Sequence, residues 1–434
     1  MNICVVGAGY AGLVTAACFA EFGLKVTCVD KEGEKIQKLK EGRVPFFEPG
    51  LEEMVRRNMA QGRLTFTNDL GQGVQHALVI FICVGTPSRE DGGVDLSAVD
   101  EVARQIGESL NGYKLVVTKS TVPVGTTRRV ERIIREHSPQ PYQFEMASNP
   151  EFLREGSAIE DFMRPNRVVI GAESDQARAI LTDLYSPLYL IETSFVMTDI
   201  HTSEVIKYAS NAFLATKISF INEMANLCDK VGADVHQVAK AMGLDQRIGS
   251  KFLHPGPGFG GSCFPKDARA FAQTGRELGV PLELVETVIR VNQRQRERMV
   301  QKVEEALEGI KGKTLAVLGL TYKPNTDDIR EAPALFITQE LIARGAKIRA
   351  YDPAGMENAS HVLREGIVFC SDPYDAAAGS HALLILTEWN QFRNLDLDRL
   401  KGLLLGPTLL DFRNVYDPTR IRDKGFVYVG VGRG

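Results

Sequence analysis

Asn2-Ile-Cys-Val-Val-Gly-Ala-Gly-Tyr-Ala-Gly12 opens the chain and decides its fold. Residues 2–6 form a short apolar run suited to a strand buried on both faces. The glycines follow without a gap, residues 11–22 read as a helix, and Lys25-Val-Thr-Cys-Val-Asp30 reads as the next strand. A G-x-G-x-x-G alone is weak evidence. Between a strand and a helix, with an acidic residue closing the second strand, it specifies a dinucleotide site. Gly7 permits the tight turn, Gly9 lets backbone approach a pyrophosphate, and Gly12 lets helix and strand pack closely. Tyr10 and Ala11 belong to the same turn, at a helix N-terminus whose free N–H groups and partial positive charge suit phosphate. Asp30 can accept hydrogen bonds from a ribose 2′-OH and would repel a 2′-phosphate. The expected cofactor is therefore NAD rather than NADP, with Lys31 or Lys35 able to soften the repulsion. A glycine-rich turn without a ligand is the alternative that this context disfavours.

Further strands end in unusual residues. Ala77–Val84 runs into Gly85-Thr86-Pro87, Lys114–Thr118 into Lys119-Ser-Thr-Val-Pro123, and Phe144–Ser148 into Asn149-Pro-Glu-Phe-Leu-Arg-Glu155. Ligands of open parallel sheets bind beyond the carboxyl ends of strands. Thr86, Thr121, Glu151 and Glu155 would thus surround the nicotinamide end of a cofactor. Each alone could be a loop residue or a helix cap; together they read as an active-site rim.

The pattern changes after Val196. Residues 200–231 have helical periodicity, contain no proline and stop at Gly232. At about 1.5 Å per residue they predict a helix of about 45–50 Å. Val205, Ile206, Phe213, Leu214, Ile218, Ile221, Met224 and Leu227 are its expected core positions. Lys207 and Asn211 stand four apart and share a face. They suit a substrate hydroxyl or a developing oxyanion, although a lysine near an apolar stripe often only reaches for water. The glycine-rich loop Gly258-Phe-Gly-Gly-Ser-Cys-Phe-Pro-Lys-Asp267 follows, with Cys263 just before Lys266 and Asp267. A cysteine beside cationic groups can lose its proton and become a nucleophile. A second helical run, from about Pro281 to Glu308, is so charged that it reads as a solvated connector. Two long helices also suggest a dimer platform.

Lys313-Thr-Leu-Ala-Val-Leu-Gly319 then repeats the opening pattern, with a helix from about Pro333 to Arg344 and the strand Lys347–Asp352. Asp352 closes its strand as Asp30 does. The second copy lacks an intact G-x-G-x-x-G, which argues against a second dinucleotide. Lys323 and Arg330, in Lys323-Pro-Asn-Thr-Asp-Asp-Ile-Arg330, sit where phosphates usually bind. The fold class expected is α/β: two doubly wound Rossmann-like domains joined by a central helical domain with long helices. The expected divisions are residues 1–196, 197–300 and 301–434.

Composition sets the outer bounds. At 434 residues the chain exceeds what one core usually serves. A net charge of −4 gives no electrostatic reason to expect a nucleic acid or an anionic membrane as partner. Cys4, Cys18, Cys28, Cys83, Cys228, Cys263 and Cys370 show no metal-ligand spacing and no pairing pattern, so no metal is expected. Their odd number reads as reduced and cytoplasmic. Neither a signal peptide nor an apolar run near the ~20 residues that span a bilayer is visible.

A dinucleotide site and a reactive cysteine together suggest more than alcohol oxidation. Oxidising an aldehyde to an acid requires a tetrahedral adduct; a thiolate supplies it as a thiohemiacetal, and the later thioester is hydrolysed. Cys263 would be that nucleophile, Lys207 and Asn211 would hold the oxygen, and Asp267 or a water beside it would serve the hydrolysis. The rivals are a two-electron hydroxyacid or sugar-acid dehydrogenase with a structural Cys263, and a NAD- or nucleotide-sugar-binding regulator without turnover.

On Gly7–Gly12, Ser120-Thr-Val-Pro123, Asn149–Glu155, Lys207 with Asn211, Gly258–Asp267 and Lys323–Arg330, the whole chain resembles the UDP-glucose/GDP-mannose dehydrogenase family. The resemblance implies oxidation of UDP-glucose to UDP-glucuronate with two NAD, or the same chemistry on GDP-mannose or a UDP-N-acetyl sugar. It implies Cys263 as thioester-forming nucleophile, oxyanion stabilisation by Lys207 and Asn211, and proton and water handling by Asp267, Glu151 and Thr121. Asp30, Lys35, Thr86, Thr121, Glu155, Lys266 and Arg330 would contact NAD. Phe152, Leu153, Arg154, Glu155, the stretch Phe252-Leu253-His254-Pro255-Gly256, Gly260 and Lys323 would contact the nucleotide sugar, with Glu151, Lys207 and Asn211 beside it. Arg247 matches a position able to reach a neighbouring subunit's site. The central helices would form a homodimer.

Overall fold

In the computed structural model, which describes residues 1–433, Ile3 and Val5 enter one apolar cluster while Cys4 and Val6 enter another. Such alternation is what a strand inside a parallel sheet requires when both faces are covered. The same holds late in the chain, where Leu315 and Val317 face one cluster and Ala316 and Leu318 the other. The chain divides into two compact units, Met1–Ser210 with Gln273–Val280, and Asn211–Ala272 with the chain from Pro281 onward.

In the first unit the strands are β1 (Asn2–Val6), β2 (Lys25–Val29), β3 (Leu64–Thr67), β4 (Val79–Ile82), β5 (Lys114–Thr118), β6 (Phe144–Ser148), β7 (Arg167–Ala172) and β8 (Ser194–Thr198). They form one sheet in the order β3-β2-β1-β4-β5-β6-β7-β8. Only the β6–β7 pair is antiparallel. In the second unit β9 (Thr314–Leu318), β10 (Lys347–Tyr351), β11 (Ile367–Phe369), β12 (Ala382–Ile385), β13 (Thr408–Asp411) and β14 (Val427–Val429) form an all-parallel sheet. Its order is β11-β10-β9-β12-β13-β14. Both sheets reverse direction beside their first strand, and the crevice at that reversal is the usual ligand position. The α/β class with two doubly wound units is therefore as expected from the sequence.

Glycine marks the reversal in both. Gly7 has φ +105, and a Cβ there would lie 2.6 Å from the Cys83 carbonyl oxygen beyond β4. Gly319 has φ +92, and its Cβ would lie 2.4 Å from the Thr387 side chain beyond β12. Only glycine fits either place.

The helix Ile200–Val231 has the predicted bounds but faces the other way. Val205, Phe213 and Leu227 are exposed, while Ser203, Glu204, Lys207, Asn211, Ser219 and Asn222 are buried. The cause is that the polar groups find partners. Ser203 meets Ser148, and Glu204 accepts from the Gly125 and Thr127 N–H groups. Lys207 meets Glu151, Asn211 meets Asp267, and Asn222 accepts from the Gly256 N–H. Of the eight expected core positions, only Ile221 is fully buried.

The charged helix Glu283–Ala306 is not a solvated connector either. Val288, Asn292, Gln295, Arg296, Met299, Val300 and Val303 form a buried face. Among the described residues no helix is long and apolar enough to cross a membrane.

Candidate active site

The opening helix, Tyr10–Glu21, begins at Gly9 with no side-chain cap, so its first N–H groups are left for a ligand. A Cβ at Gly9 would meet nothing within 4 Å, whereas one at Gly12 would sit 1.8 Å from the Gly7 carbonyl oxygen. Gly12 is thus demanded by the fold and Gly9 by whatever fills the open space. Asp30 follows β2 and accepts from the Ala8 N–H at 2.8 Å and the Glu32 N–H at 3.0 Å. Lys35 pairs with it at 3.3 Å. Burial opposes the Lys35 charge, but Glu32 and Asp30 outweigh it and raise its pKa. The bare helix end, the vacant side of Gly9 and the carboxylate at the β2 terminus fit a dinucleotide.

The rim at the ends of β4, β5 and β6 is held by side-chain bonds. Thr86 Oγ1 donates to the Thr121 carbonyl at 2.9 Å, and Ser120 Oγ to that of Val84 at 2.7 Å. Glu151 receives Lys207 Nζ at 3.0 Å, with both side chains about nine-tenths or more buried. Burial pushes the Glu151 carboxyl up, but the Lys207 charge and hydrogen bond, the Leu153 N–H and Lys119 together bring it below the ordinary range. Lys207 and Arg167 both lie over the Phe152 ring, at 5.3 and 3.5 Å. Arg154 pairs with Asp161 at 2.6 Å, and Glu155 is buried. Sequence spacing gives no hint of Glu48, which is buried and bonds to Tyr10 Oη, while its carboxylate accepts from the Ala158 N–H at 2.8 Å. It thereby ties the dinucleotide turn to the chain just after Glu155.

In the second unit the glycine-rich loop is clamped on three sides. Asn292 Oδ1 accepts from the Phe259 N–H at 2.8 Å and Asn292 Nδ2 donates to the Phe259 carbonyl at 3.0 Å. Arg296 donates to the carbonyls of Phe259 and Glu331 at 2.9 and 3.0 Å, and the Gly261 N–H reaches the Arg330 carbonyl at 3.0 Å. A Cβ at Gly260 would lie 2.4 Å from the Glu331 carbonyl oxygen; one at Gly261 would strike the Tyr322 ring at 2.7 Å. Asn292 and Arg296 stand one turn apart on a helix whose charge disguises them.

Cys263 comes next, half-buried, and its carbonyl accepts from the Asp267 N–H at 2.8 Å, the first bond of the helix Phe264–Glu277. A thiol at a helix N-terminus has its thiolate favoured by the helix dipole. Ser262 Oγ lies 3.5 Å from Sγ. Asp267 is 1% exposed: Lys266 Nζ holds Oδ1 at 2.6 Å and Asn211 Nδ2 holds Oδ2 at 2.7 Å. Phe252, at φ +65, and Phe259 pack their rings about 6 Å from that of Phe264. Leu253, Pro255 and Gly256 are buried while His254 is exposed. Lys323 Nζ lies 5.2 Å over the Tyr322 ring, and Arg330 pairs with Asp328 at 2.7 Å. Within this unit Gly260 and Gly261 adjoin Tyr322, Arg330 and Glu331, and Asn211 and Lys266 meet on Asp267, four residues after Cys263. Arg247 does not join them; it pairs with Asp245 and faces outward.

Asp352 repeats the position of Asp30 but is filled. Its Oδ2 accepts from the Leu320 and Thr321 N–H groups, Thr321 Oγ1 and Trp389 Nε1, and its Oδ1 from Ala354 and Gly355. No acceptor remains for a second ribose there. Among the described residues no three His, Cys, Asp or Glu side chains are grouped to hold a metal.

Residues 1–189 match the NAD binding domain of the UDP-glucose/GDP-mannose dehydrogenase family, residues 201–294 its central domain and residues 316–418 its UDP binding domain. UDP-glucose 6-dehydrogenase of Rhizobium meliloti is 54% identical over 437 aligned residues, with both chains covered in full. That of Bacillus subtilis named TuaD is 47% identical, over all of this chain and 93% of its own. Among solved structures, a UDP-glucose dehydrogenase from Pyrobaculum islandicum superposes with a TM-score of 0.93 at 40% identity, covering 100% of this chain and 98% of its own. A UDP-D-ManNAc dehydrogenase from Pyrococcus horikoshii reaches 0.88 at 27% identity, with full coverage of both.

Proposed function

The chain belongs to the UDP-glucose/GDP-mannose dehydrogenase family, and on that premise we propose that it oxidises UDP-glucose to UDP-glucuronate with NAD. One observation carries the chemistry. Cys263 stands at a helix N-terminus four residues before Asp267, whose two oxygens are taken by Asn211 and Lys266. The choice of sugar is supported by the relatives from R. meliloti, B. subtilis and P. islandicum, each of which bears UDP-glucose in its name.

NAD, held at the glycine turn and Asp30, would supply the hydride acceptor for each of two oxidations at C6. The chain's own groups do the rest in this reading. Cys263 Sγ adds to the aldehyde carbon, forming the thiohemiacetal; after the second oxidation, water attacks the thioester carbonyl and Sγ leaves as the carboxylate forms. One UDP-glucose and one water thus consume two NAD. Lys207 and Asn211, one turn apart, donate to the oxygen that carries developing charge. Glu151, kept ionised by Lys207, can take the alcohol proton, with Thr121 and Asp267 orienting water.

Gly7, Gly9, Tyr10, Ala11, Gly12, Asp30, Lys35, Thr86, Thr121, Glu155, Lys266 and Arg330 are proposed to hold NAD. Phe152 to Glu155, Phe252 to Gly256, Gly260 and Lys323 are proposed to hold the nucleotide sugar. The division into residues 1–196, 197–300 and 301–434 is proposed likewise, supported by the bounds of the three family matches.

A homodimer through the long helix is supported by the exposed apolar residues Val205, Phe213, Phe220, Leu227 and Val231, whose spacing gives one stripe. Arg247 would then face the partner. A cytoplasmic location is supported by six buried free thiols, Cys4, Cys18, Cys28, Cys83, Cys228 and Cys370.

Absorbance at 340 nm over a panel of UDP-glucose, UDP-N-acetyl sugars and GDP-mannose tests the reading. Two NADH per UDP-glucose are expected, with Cys263→Ala forming no acid yet still binding NAD. One NADH per sugar, or acid formation by that variant at the wild-type rate, sinks the covalent mechanism. Turnover of another sugar in preference to UDP-glucose moves only the substrate.

A further inference from the structure

Lys119 follows β5 and precedes the Ser120-Thr121 pair of the rim, yet its side chain turns into the core and is 4% exposed. Its ammonium donates to Asn149 Oδ1 at 3.0 Å, to the Asn149 carbonyl at 3.4 Å and to Tyr185 Oη at 3.3 Å. Tyr185 in turn donates to Asn149 Oδ1 at 2.6 Å, and Asn149 Nδ2 to the Val169 carbonyl at 2.8 Å. The rings of Phe81, Phe162 and Tyr185 surround Nζ at about 6 Å. None of its three hydrogen-bond contacts is a carboxylate. Burying a charge on neutral partners is unfavourable, and a methionine would fill the same apolar walls without that cost. What the ammonium gains is a grip on one residue, Asn149, at the root of the segment that carries Glu151 to Glu155.

Resting on the function proposed above, we propose that Lys119 is a positioning residue whose ammonium fastens Asn149 and so fixes the place of Glu151. The same charge lies behind the carboxylate and helps keep it ionised. Glu151 and Lys207 face it from the β6 end and the long helix, and Cys83 and Cys18 from just beyond β4 and the opening helix. Tyr185 closes the remaining side, and Asp161 and Arg167 share with Lys119 and Glu151 a cavity of about 40 Å³. Burial lowers the ammonium to about 8, with Cys83 and Glu151 opposing and Lys207 adding to the shift. The grip therefore weakens as pH rises through that value.

Two readouts test this. In the free protein, amide exchange over residues 149–156, followed by mass spectrometry, should be about tenfold or more faster in Lys119→Met, while β1 and β2 stay as in the wild type. On whichever nucleotide sugar the wild type turns over, Lys119→Met should lower kcat about tenfold or more with Kd for NAD within about twofold. The wild-type fall in kcat above about pH 8 should be absent from that variant. Tyr185→Phe, which removes one acceptor of the ammonium, should shift that fall to lower pH, and it decides the matter alone if Lys119→Met does not fold. Unchanged exchange overturns the grip. Faster exchange with wild-type kcat, or an alkaline fall that moves in neither variant, overturns the positioning role. A wild type inert on every sugar would refute the proposed function, and the exchange readout would still decide whether Lys119 holds the segment.

Discussion

Gly260→Ala puts one methyl group where the structure has no room for it. The added carbon would lie 2.4 Å from the Glu331 carbonyl oxygen and 2.7 Å from Pro333 Cδ. A carbon approaches a carbonyl oxygen to about 3.3 Å, so the loop must retreat by about 0.9 Å. It cannot do so alone, because Asn292, Arg296 and the Arg330 carbonyl hold Phe259 and Gly261 on either side. Cys263, three residues on, moves with it. A displacement near 1 Å at reacting atoms costs about a hundredfold in rate, or about 2.7 kcal/mol of barrier. Overpacking should cost a further 1–3 kcal/mol of stability, roughly. NADH production under saturating UDP-glucose and NAD gives kcat; calorimetric titration gives Kd for NAD, expected within about threefold of wild type since the dinucleotide turn belongs to the other unit. A kcat within about twofold of wild type would refute the claim that this close approach places the cysteine.

Gly9→Ala and Gly12→Ala should separate ligand from fold. The first carbon meets no protein atom within 4 Å and the second overlaps the Gly7 carbonyl; Gly9→Ala should therefore melt like wild type but bind NAD at least about tenfold more weakly, whereas Gly12→Ala should lose several kcal/mol of stability, about 3 or more. Lys207→Met should move the acid limb of kcat upward. Glu151 now sits below its usual range because Lys207, with the Leu153 N–H and Lys119 behind it, outweighs burial, so its ion pair stabilises the fold above the unfolded value of about 4.3 and is lost only as pH falls through the lower folded one. With the lysine gone, burial dominates and the carboxylate titrates above that value; a pH profile unchanged in shape would remove Lys207 from this role. Phe213→Glu, on the exposed stripe of the long helix, should yield monomers in light scattering at low micromolar concentration, and a dimer that persists would place the interface elsewhere.

Where the helix Ile200–Val231 starts and stops is legible, since proline is absent within it and Gly232 follows. Which way it turns is not. Its buried polar residues bond to groups 34 to 79 residues away in the sequence, and a periodicity rule sees only near neighbours. Rules that send apolar residues inward therefore pick Phe213 and Leu227, the residues left bare. The same blindness hides Lys119, which reads as the end of a strand until Asn149 and Tyr185 are brought against it, and Asn292 with Arg296, whose helix reads as a charged surface run until the loop at Phe259 closes over them.

The two strand–glycine–strand–aspartate patterns carry this furthest. Asp30 and Asp352 end equivalent strands, and each bonds back to the N–H groups just after its glycine. The sequence sees the repeat and the missing glycines of the second copy. It does not see that Thr321 and Trp389 occupy the oxygen of Asp352 that would otherwise face a ribose. Asp30 has only backbone N–H groups and Lys35 on it, and so keeps lone pairs for a 2′-OH. One geometry is thus tuned to two ligand halves by the residues that fill, or leave open, a single carboxylate. Removing the filler, as in Trp389→Phe, should cost stability through one lost hydrogen bond to a carboxylate, about 1.5–3 kcal/mol, and should confer no affinity for NAD on the second unit, because Leu320 and Thr321 still hold Oδ2 and the second and third glycines of the dinucleotide turn are not there.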